Sequence, residues 1–196
     1  MIRRSGAAIL LVLAAGLFGW LFFSALPGWY GAPAPASLAT AVPPSAPEGG
    51  RKIRAQLFYV TDDGRGLRAV EQEVPFGETP TDQAKAIIAS QLAAAPAPFV
   101  SAVPPGTMLR AAFVTDQGTA FVDLSREVAT AHPGGSTNEL LTIYTLVNVL
   151  AVNLPAITAV QLLVDGKEVD TLAGHMELRR PLVKNLTWVQ TDAEPR

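Results

Sequence analysis

The chain has 196 residues, a formal net charge of −2 and a pI near 5.7. No basic face is available to neutralise phosphates, so no nucleic-acid partner is expected. Cysteine is absent, which excludes disulfides, thiolate metal sites, a cysteine nucleophile and a lipid-modified N-terminal cysteine.

Arg3 and Arg4 precede an uncharged apolar run from Ala7 to Leu26. About twenty apolar residues span a bilayer as a helix, whereas secretory h-regions run to about 7–15. The basic flank places the N-terminus in the cytoplasm, and Trp29 and Tyr30 suit the outer interface. Residues 1–30 therefore read as a cytoplasmic N-terminus and a single-pass signal-anchor in the inner membrane, with the rest extracytoplasmic or periplasmic. A cleaved signal peptide is the alternative, and it exports the same domain. Residues 31–50 form a Pro/Ala-rich linker. Pro33, Pro35, Pro43, Pro44 and Pro47 favour extended backbone at about 3.1 Å per residue.

Residues 51–183 carry the folded domain and 184–196 a C-terminal tail. Ile53, Ala55, Leu57 and Tyr59 alternate along a first strand, and Asp62-Asp63-Gly64-Arg65-Gly66 is a turn signal before a more polar return from Leu67 to Val74. Thr79, Pro80 and Asp82 mark a helix start. In that helix Ala84, Ile87, Ile88 and Leu92 form the apolar face, with Lys85, Ser90 and Gln91 largely off it. A second hairpin pairs Leu109, Ala111 and Phe113 with Ala120, Val122 and Leu124 across Asp116-Gln117-Gly118.

Ser136 and Glu139 then form an S-x-x-E capping box. Leu140, Leu141, Ile143, Tyr144, Leu146, Val147, Val149 and Leu150 leave only a narrow polar stripe of Thr142, Thr145, Asn148 and Asn153. Such a helix is largely buried. It is shorter than the N-terminal run and interrupted by polar residues, so it reads as a core helix and not a second span. Val160, Leu162 and Val164 alternate in a strand expected to pair centrally. Asp165-Gly166-Lys167 turns it into a short partner, Glu168 to Leu172, and the tail from Leu182 to Val189 is weakly strand-like. The order β-β-α-β-β-α-β-β predicts an α+β fold: a mixed or mainly antiparallel sheet with two helices on one face, preceded by one transmembrane helix.

Several motifs fall in a familiar order. They are Leu57-Phe58-Tyr59, Pro104-Pro105-Gly106-Thr107 and Ala120-Phe121-Val122-Asp123-Leu124-Ser125, followed by Gly134-Gly135-Ser136 and Tyr144-Thr145-Leu146-Val147-Asn148. Val164-Asp165-Gly166-Lys167 and Leu172-Ala173-Gly174-His175 complete the series. Together they resemble the GerMN domain family over about Arg51 to Val183. The resemblance implies an extracytoplasmic, membrane-tethered domain similar to the ring-building modules of sporulation channels. It links the chain to spore formation, germination and peptidoglycan-related envelope work. It brings no enzymatic activity and no cofactor. Asp123, Gly134, Ser136, Glu139, Asn148, Asp165, Gly166, Gly174 and His175 are its structural signature. Two features depart from the pattern. Many relatives are lipoproteins, and here the apolar run replaces the lipid anchor. The family's sporulation protein has two copies of the domain where this chain has one.

Candidate chemistry is sparse. His132 and His175 are the only histidines, and neither sits in H-x-x-H or H-E-x-x-H spacing, so neither a metal nor a hydrolytic site is expected. His175 is expected to hydrogen-bond backbone and fix its turn. Ser136 lacks the G-x-S-x-G elbow and is explained as a helix N-cap. Gly135, Ser136, Thr137 and Asn138 offer free amides for an anion, an arrangement opposed by the charge of Glu139 in the same turn. Asp123 is expected to close a strand-to-loop turn, and Asn148 to satisfy a neighbouring backbone group. The expected function is a non-enzymatic interaction module in an envelope, peptidoglycan-associated or sporulation-related complex. Its partners would be the inner membrane, envelope proteins and other copies of itself. The alternative is a domain that binds a peptidoglycan fragment or other anionic wall component at Gly135–Asn138.

Overall fold

The computed structural model describes residues 50–190. These belong to a unit running from Gly49 to Arg196. The expected membrane span, the linker up to residue 49 and residues 191–196 lie outside the described residues. Among the described residues no helix is long and apolar enough to cross a membrane.

Strands β1 (Lys52–Val60) and β2 (Leu67–Pro75) pair antiparallel in unbroken register, from Lys52 opposite Pro75 to Val60 opposite Leu67. Thr61 Oγ1 donates to Asp63 Oδ1 at 2.6 Å and so ties the turn between them. Alternation buries Ala55, Leu57 and Tyr59 as expected. Phe58, pointing the other way, is buried too, so β1 is covered on both faces at this end. Helix α1 (Pro80–Leu92) starts as the sequence predicts, with the Thr79 side chain accepting from the Asp82 amide at 3.1 Å and Pro80 at its first position.

Strands β3 (Leu109–Val114), β4 (Thr119–Leu124), β5 (Ala159–Val164) and β6 (Lys167–Glu168) form a second sheet in the order β3-β4-β5-β6. β4 and β5 are parallel, and the other neighbours are antiparallel. A parallel pair requires a crossover, supplied by the short helix α2 (Glu127–Thr130) and the long helix α3 (Ser136–Asn153). β5 is central, as expected. α3 packs on β1 and β5, while α1 packs on β2 and β3, so the two helices join the sheets.

The expected single sheet is therefore corrected to two. The β1–β2 hairpin meets β3–β6 through helix packing, with no ladder between them. A two-residue strand β7 (Val189–Gln190) adds parallel to β2 at Leu67 and Arg68, completing the order β1-β2-β7. Helix α2 was not expected; one turn carries too little periodicity to be read. The inward face of β3 is also corrected. Ala112 points inward and Phe113 is 60 % exposed, because the register shifts between Leu109 and Ala111. Such an irregularity shifts the alternation on one side of it.

Gln91 is corrected as well: it is fully buried rather than off the apolar face. Its Oε1 accepts from the Phe58 amide and its Nε2 donates to the Phe58 carbonyl, both at 2.8 Å. Asn153 makes the same pair of bonds with Gln56, also at 2.8 Å each. The Val60 amide donates to the Val100 carbonyl at 2.9 Å. The side of β1 that faces away from β2 is thus closed at Gln56, Phe58 and Val60 by two carboxamides and one backbone carbonyl. A free strand edge is a template for unwanted pairing, and this edge is covered.

Candidate functional site

Most of the signature residues gather into three polar anchors. The first lies where α3 begins. Glu139 is fully buried, and its side chain leaves the helix for the loop after β6. Oε1 accepts from the amides of Leu172 at 2.9 Å and Ala173 at 2.8 Å. Oε2 accepts from the His175 amide at 2.8 Å and lies 3.0 Å from His175 Nδ1. Burial pushes the Glu139 carboxyl up, but these amides and the imidazole outweigh it and hold the carboxyl below its usual range.

This arrangement corrects two expectations. Ser136 is not the N-cap. Gly135 is, at φ 85°, with no side-chain cap bond, and Ser136 is the first helical residue. Glu139 does not reach back to its own helix start, because three loop amides together out-compete one N-cap amide for the carboxylate. His175 does not anchor its ring on backbone; the ring meets the Glu139 carboxylate. Gly174 takes φ 94°, and its amide donates to Thr171 Oγ1 at 2.9 Å.

The second anchor fixes the β5–β6 turn. Asp123 Oδ1 accepts from the Gly166 amide at 2.7 Å, and its Oδ2 pairs with Arg110 Nε at 3.1 Å. Arg110 continues to Asp165 at 3.3 Å, and Arg126 reaches the same carboxylate at 3.2 Å. Asp165 at φ 50° and Gly166 at φ 76° both have the positive values a tight two-residue hairpin demands. Asp123 does close a turn through backbone, as expected, but the turn belongs to the neighbouring strand.

The third anchor is Asn148, buried in α3. Its Nδ2 donates to the Asn185 carbonyl at 2.7 Å, and its Oδ1 accepts from the Asn185 amide at 3.0 Å. This matches the expectation that it serves backbone. It holds a strap, residues 182–190, that runs from Val160, bonded to Leu182 in both directions at 2.8 Å, to the start of β2.

His132 stands apart from His175 in its partners. Its Nδ1 accepts from the Gly134 amide at 3.0 Å, and its Nε2 lies 3.2 Å from Thr142 Oγ1. Gly134 has φ 81°, and its carbonyl accepts from Asn138 Nδ2 at 2.9 Å. Gly135, Ser136, Thr137 and Asn138 are all exposed at the start of α3. Among the described residues no group of three or more His, Asp or Glu is placed to hold a metal.

Sequence reasoning missed Arg110 and Arg126, because their partners lie on other strands. It also missed Gln91. A lone carboxamide beside an apolar helix face was the available signal.

A family model described as "Sporulation and spore germination", the Germane family, matches residues 56–170, more than half of the chain. The chain belongs to this family of GerMN-type domains. No curated protein matches. Among solved structures, the tandem GerMN domains of the sporulation protein GerM from Bacillus subtilis are similar at 18 % identity and a TM-score of 0.50. That match covers 69 % of this chain and 46 % of the other. A candidate lipoprotein from Clostridium perfringens matches at 22 % identity and TM-score 0.48, covering 68 % of this chain and 88 % of its own. The first GerMN domain of GerM matches at 16 % and 0.45, covering 68 % and 96 %. The tandem protein shares the fold, and this chain spans under half its length.

Proposed function

We propose that this chain is a non-enzymatic interaction module, held at the inner membrane by residues 7–26 and facing the cell exterior. It works by protein contact, with envelope proteins or further copies of itself, in an envelope, peptidoglycan-associated or sporulation-related complex. One observation carries the reading. The acids and the amide of the signature, Glu139, Asp123 and Asn148, are engaged in holding loops in place. Apolar side chains, Phe113 and Met108 among them, are meanwhile exposed to solvent. The apolar N-terminal run and family membership support the location and the process. The test is protease treatment of cells making the full chain, with cross-linking in the envelope. The domain should be cut from outside the inner membrane and be captured in a specific cross-linked complex. Protection from protease, or a chain that cross-links to nothing, would remove the proposal.

A second reading is an anion-binding domain at Gly135–Asn138. It is favoured by the turn of Glu139 away from these residues, which removes the opposing charge from their surface. Binding to purified wall material that is lost on Thr137→Glu would support it, and no binding would end it.

A further inference from the structure

The strap over α3 presents a surface that its anchoring does not need. Among the described residues six large apolar side chains are exposed, and three lie within six positions of one another: Val183 at 64 %, Leu186 at 47 % and Trp188 at 37 %. The inward groups of the strap fix it at three points. These are Leu182 on Val160, Asn185 on Asn148, and the Trp188 carbonyl, which accepts from Leu67 at 2.7 Å. The outward side chains are therefore displayed from a held backbone, and Val183 opens onto a cleft of about 370 Å³ that also touches Val152, Pro155 and Ile157.

The same stretch is basic. From Arg179 to Gln190 it contains Arg179, Arg180 and Lys184 and no acid. Arg179 pairs with Asp170 at 2.7 Å, whereas Arg180 and Lys184 are exposed and form no ion pair among the described residues. Glu177 lies just upstream and Asp192 and Glu194 just downstream, outside the run. Cations interleaved with aliphatic side chains and a tryptophan match the chemistry of a bilayer surface. The cations meet anionic headgroups, and the apolar groups and indole enter the boundary below them.

We propose that the strap, together with the basic segment 179–181 that leads into it, docks the domain onto an anionic phospholipid surface. The occupant is the membrane, by charge complementarity and because the chain carries its own apolar run, Ala7–Leu26, with a linker ending at the domain. The proposal rests on the membrane-anchored reading above. It adds that the domain lies on the bilayer rather than standing off on its linker.

The chain has no cysteine, so a single introduced thiol reports one position. Full-length Leu186→Cys, or Thr187→Cys if the first misfolds, is labelled with a fluorophore. It is then reconstituted in vesicles carrying acyl-chain quencher, made of phosphatidylcholine alone or mixed with phosphatidylglycerol. Quenching should be strong in the mixed vesicles, weak in the neutral ones and relieved by salt. Arg180→Gln with Lys184→Gln should weaken docking roughly 30-fold, from two lost headgroup contacts. Equal quenching in both vesicles, or none, overturns docking. So does label proximity that rises with protein density in neutral vesicles, which would identify a second copy as the occupant. Alkaline carbonate extraction after the reading tests anchoring separately. Chain that resists extraction but shows no quenching removes the docking alone, and chain that binds neither vesicle removes both.

Discussion

The Glu139 carboxylate and the His175 imidazole meet at 3.0 Å, with the carboxylate fully buried and the His175 side chain 45 % exposed. The two contribute unequally. Glu139 also takes three backbone amides, so Glu139→Ala strands those donors and should cost about 3–5 kcal/mol. Glu139→Gln keeps one good acceptor and should cost about half of that. His175→Ala removes one half-exposed partner and should cost under about 1 kcal/mol. Urea unfolding of the domain ranks the three. A His175 variant as damaging as Glu139→Ala would mean that the imidazole, not the amides, holds the loop.

The same carboxylate has a sign with pH. Its folded pKa lies below the ordinary glutamate value, so the folded state binds fewer protons at this site than the unfolded chain. Its stabilisation is present above the unfolded value of about 4.3 and is lost as pH falls through the folded pKa. Stability of the parent should therefore fall more steeply than that of Glu139→Gln as pH drops below about 5. Parallel acid profiles would show that other carboxylates set the slope.

Asn148 makes two bonds to one strap residue, Asn185, from inside the helix. Asn148→Leu supplies volume but no partner, leaving a backbone amide and carbonyl of a part-buried segment unpaired. It should cost about 2–3 kcal/mol and loosen the strap first. Hydrogen exchange should quicken at Asn185 and Val189 before it changes in β4. A stable variant with an unaltered strap that has lost partner contact would instead make Asn148 a binding residue.

The legibility of the chain follows from where each group's partner lies. Thr79-Pro80 with Asp82, Asp165-Gly166 and the alternation of Val160, Leu162 and Val164 are local, and the structure places all of them as read. Ser136 and Glu139 look equally local, and there the reading failed. The acid's partners lie 33 to 36 positions away, and a spacing pattern cannot register a rival so distant. The two-sheet division was hidden for the same reason. Gln91 and Asn153 close the edge of β1 from helices 33 and 97 positions away, which makes carboxamides look like a solvent stripe. Asp123 holds backbone, as its place near a strand end implies, while the turn it holds is legible only with β4 and β5 side by side.

That edge closure gives its own test. Gln91 is fully buried and serves both backbone groups of Phe58, so Gln91→Leu leaves a buried donor and acceptor unpaired and should cost about 2–4 kcal/mol. Asn153 serves Gln56 at an exposed position where water can replace it, so Asn153→Leu should cost about 1 kcal/mol or less. The double variant should also associate through the freed strand and raise thioflavin signal on warming. Equal costs for the two single variants would mean that packing, not hydrogen bonding, explains Gln91.

Two glycines with the same φ of 81° separate backbone strain from lack of room. Gly118 closes the β3–β4 hairpin, and its carbonyl accepts from the Thr158 amide at 2.8 Å just before β5. A Cβ there would press on the Ala156 carbonyl oxygen and approach Thr158 Oγ1 at 3.3 Å. Gly134 has open space where its Cβ would be. Gly134→Ala should cost only the left-handed conformation, about 1 kcal/mol. Gly118→Ala adds displacement of the backbone that leads into the central strand, and should cost at least about 3 kcal/mol. Thermal unfolding of the two variants separates the cases. If both fall by the same small amount, the β3–β4 turn and the segment before β5 are free to part, and the parallel pairing of β4 with β5 does not depend on their contact.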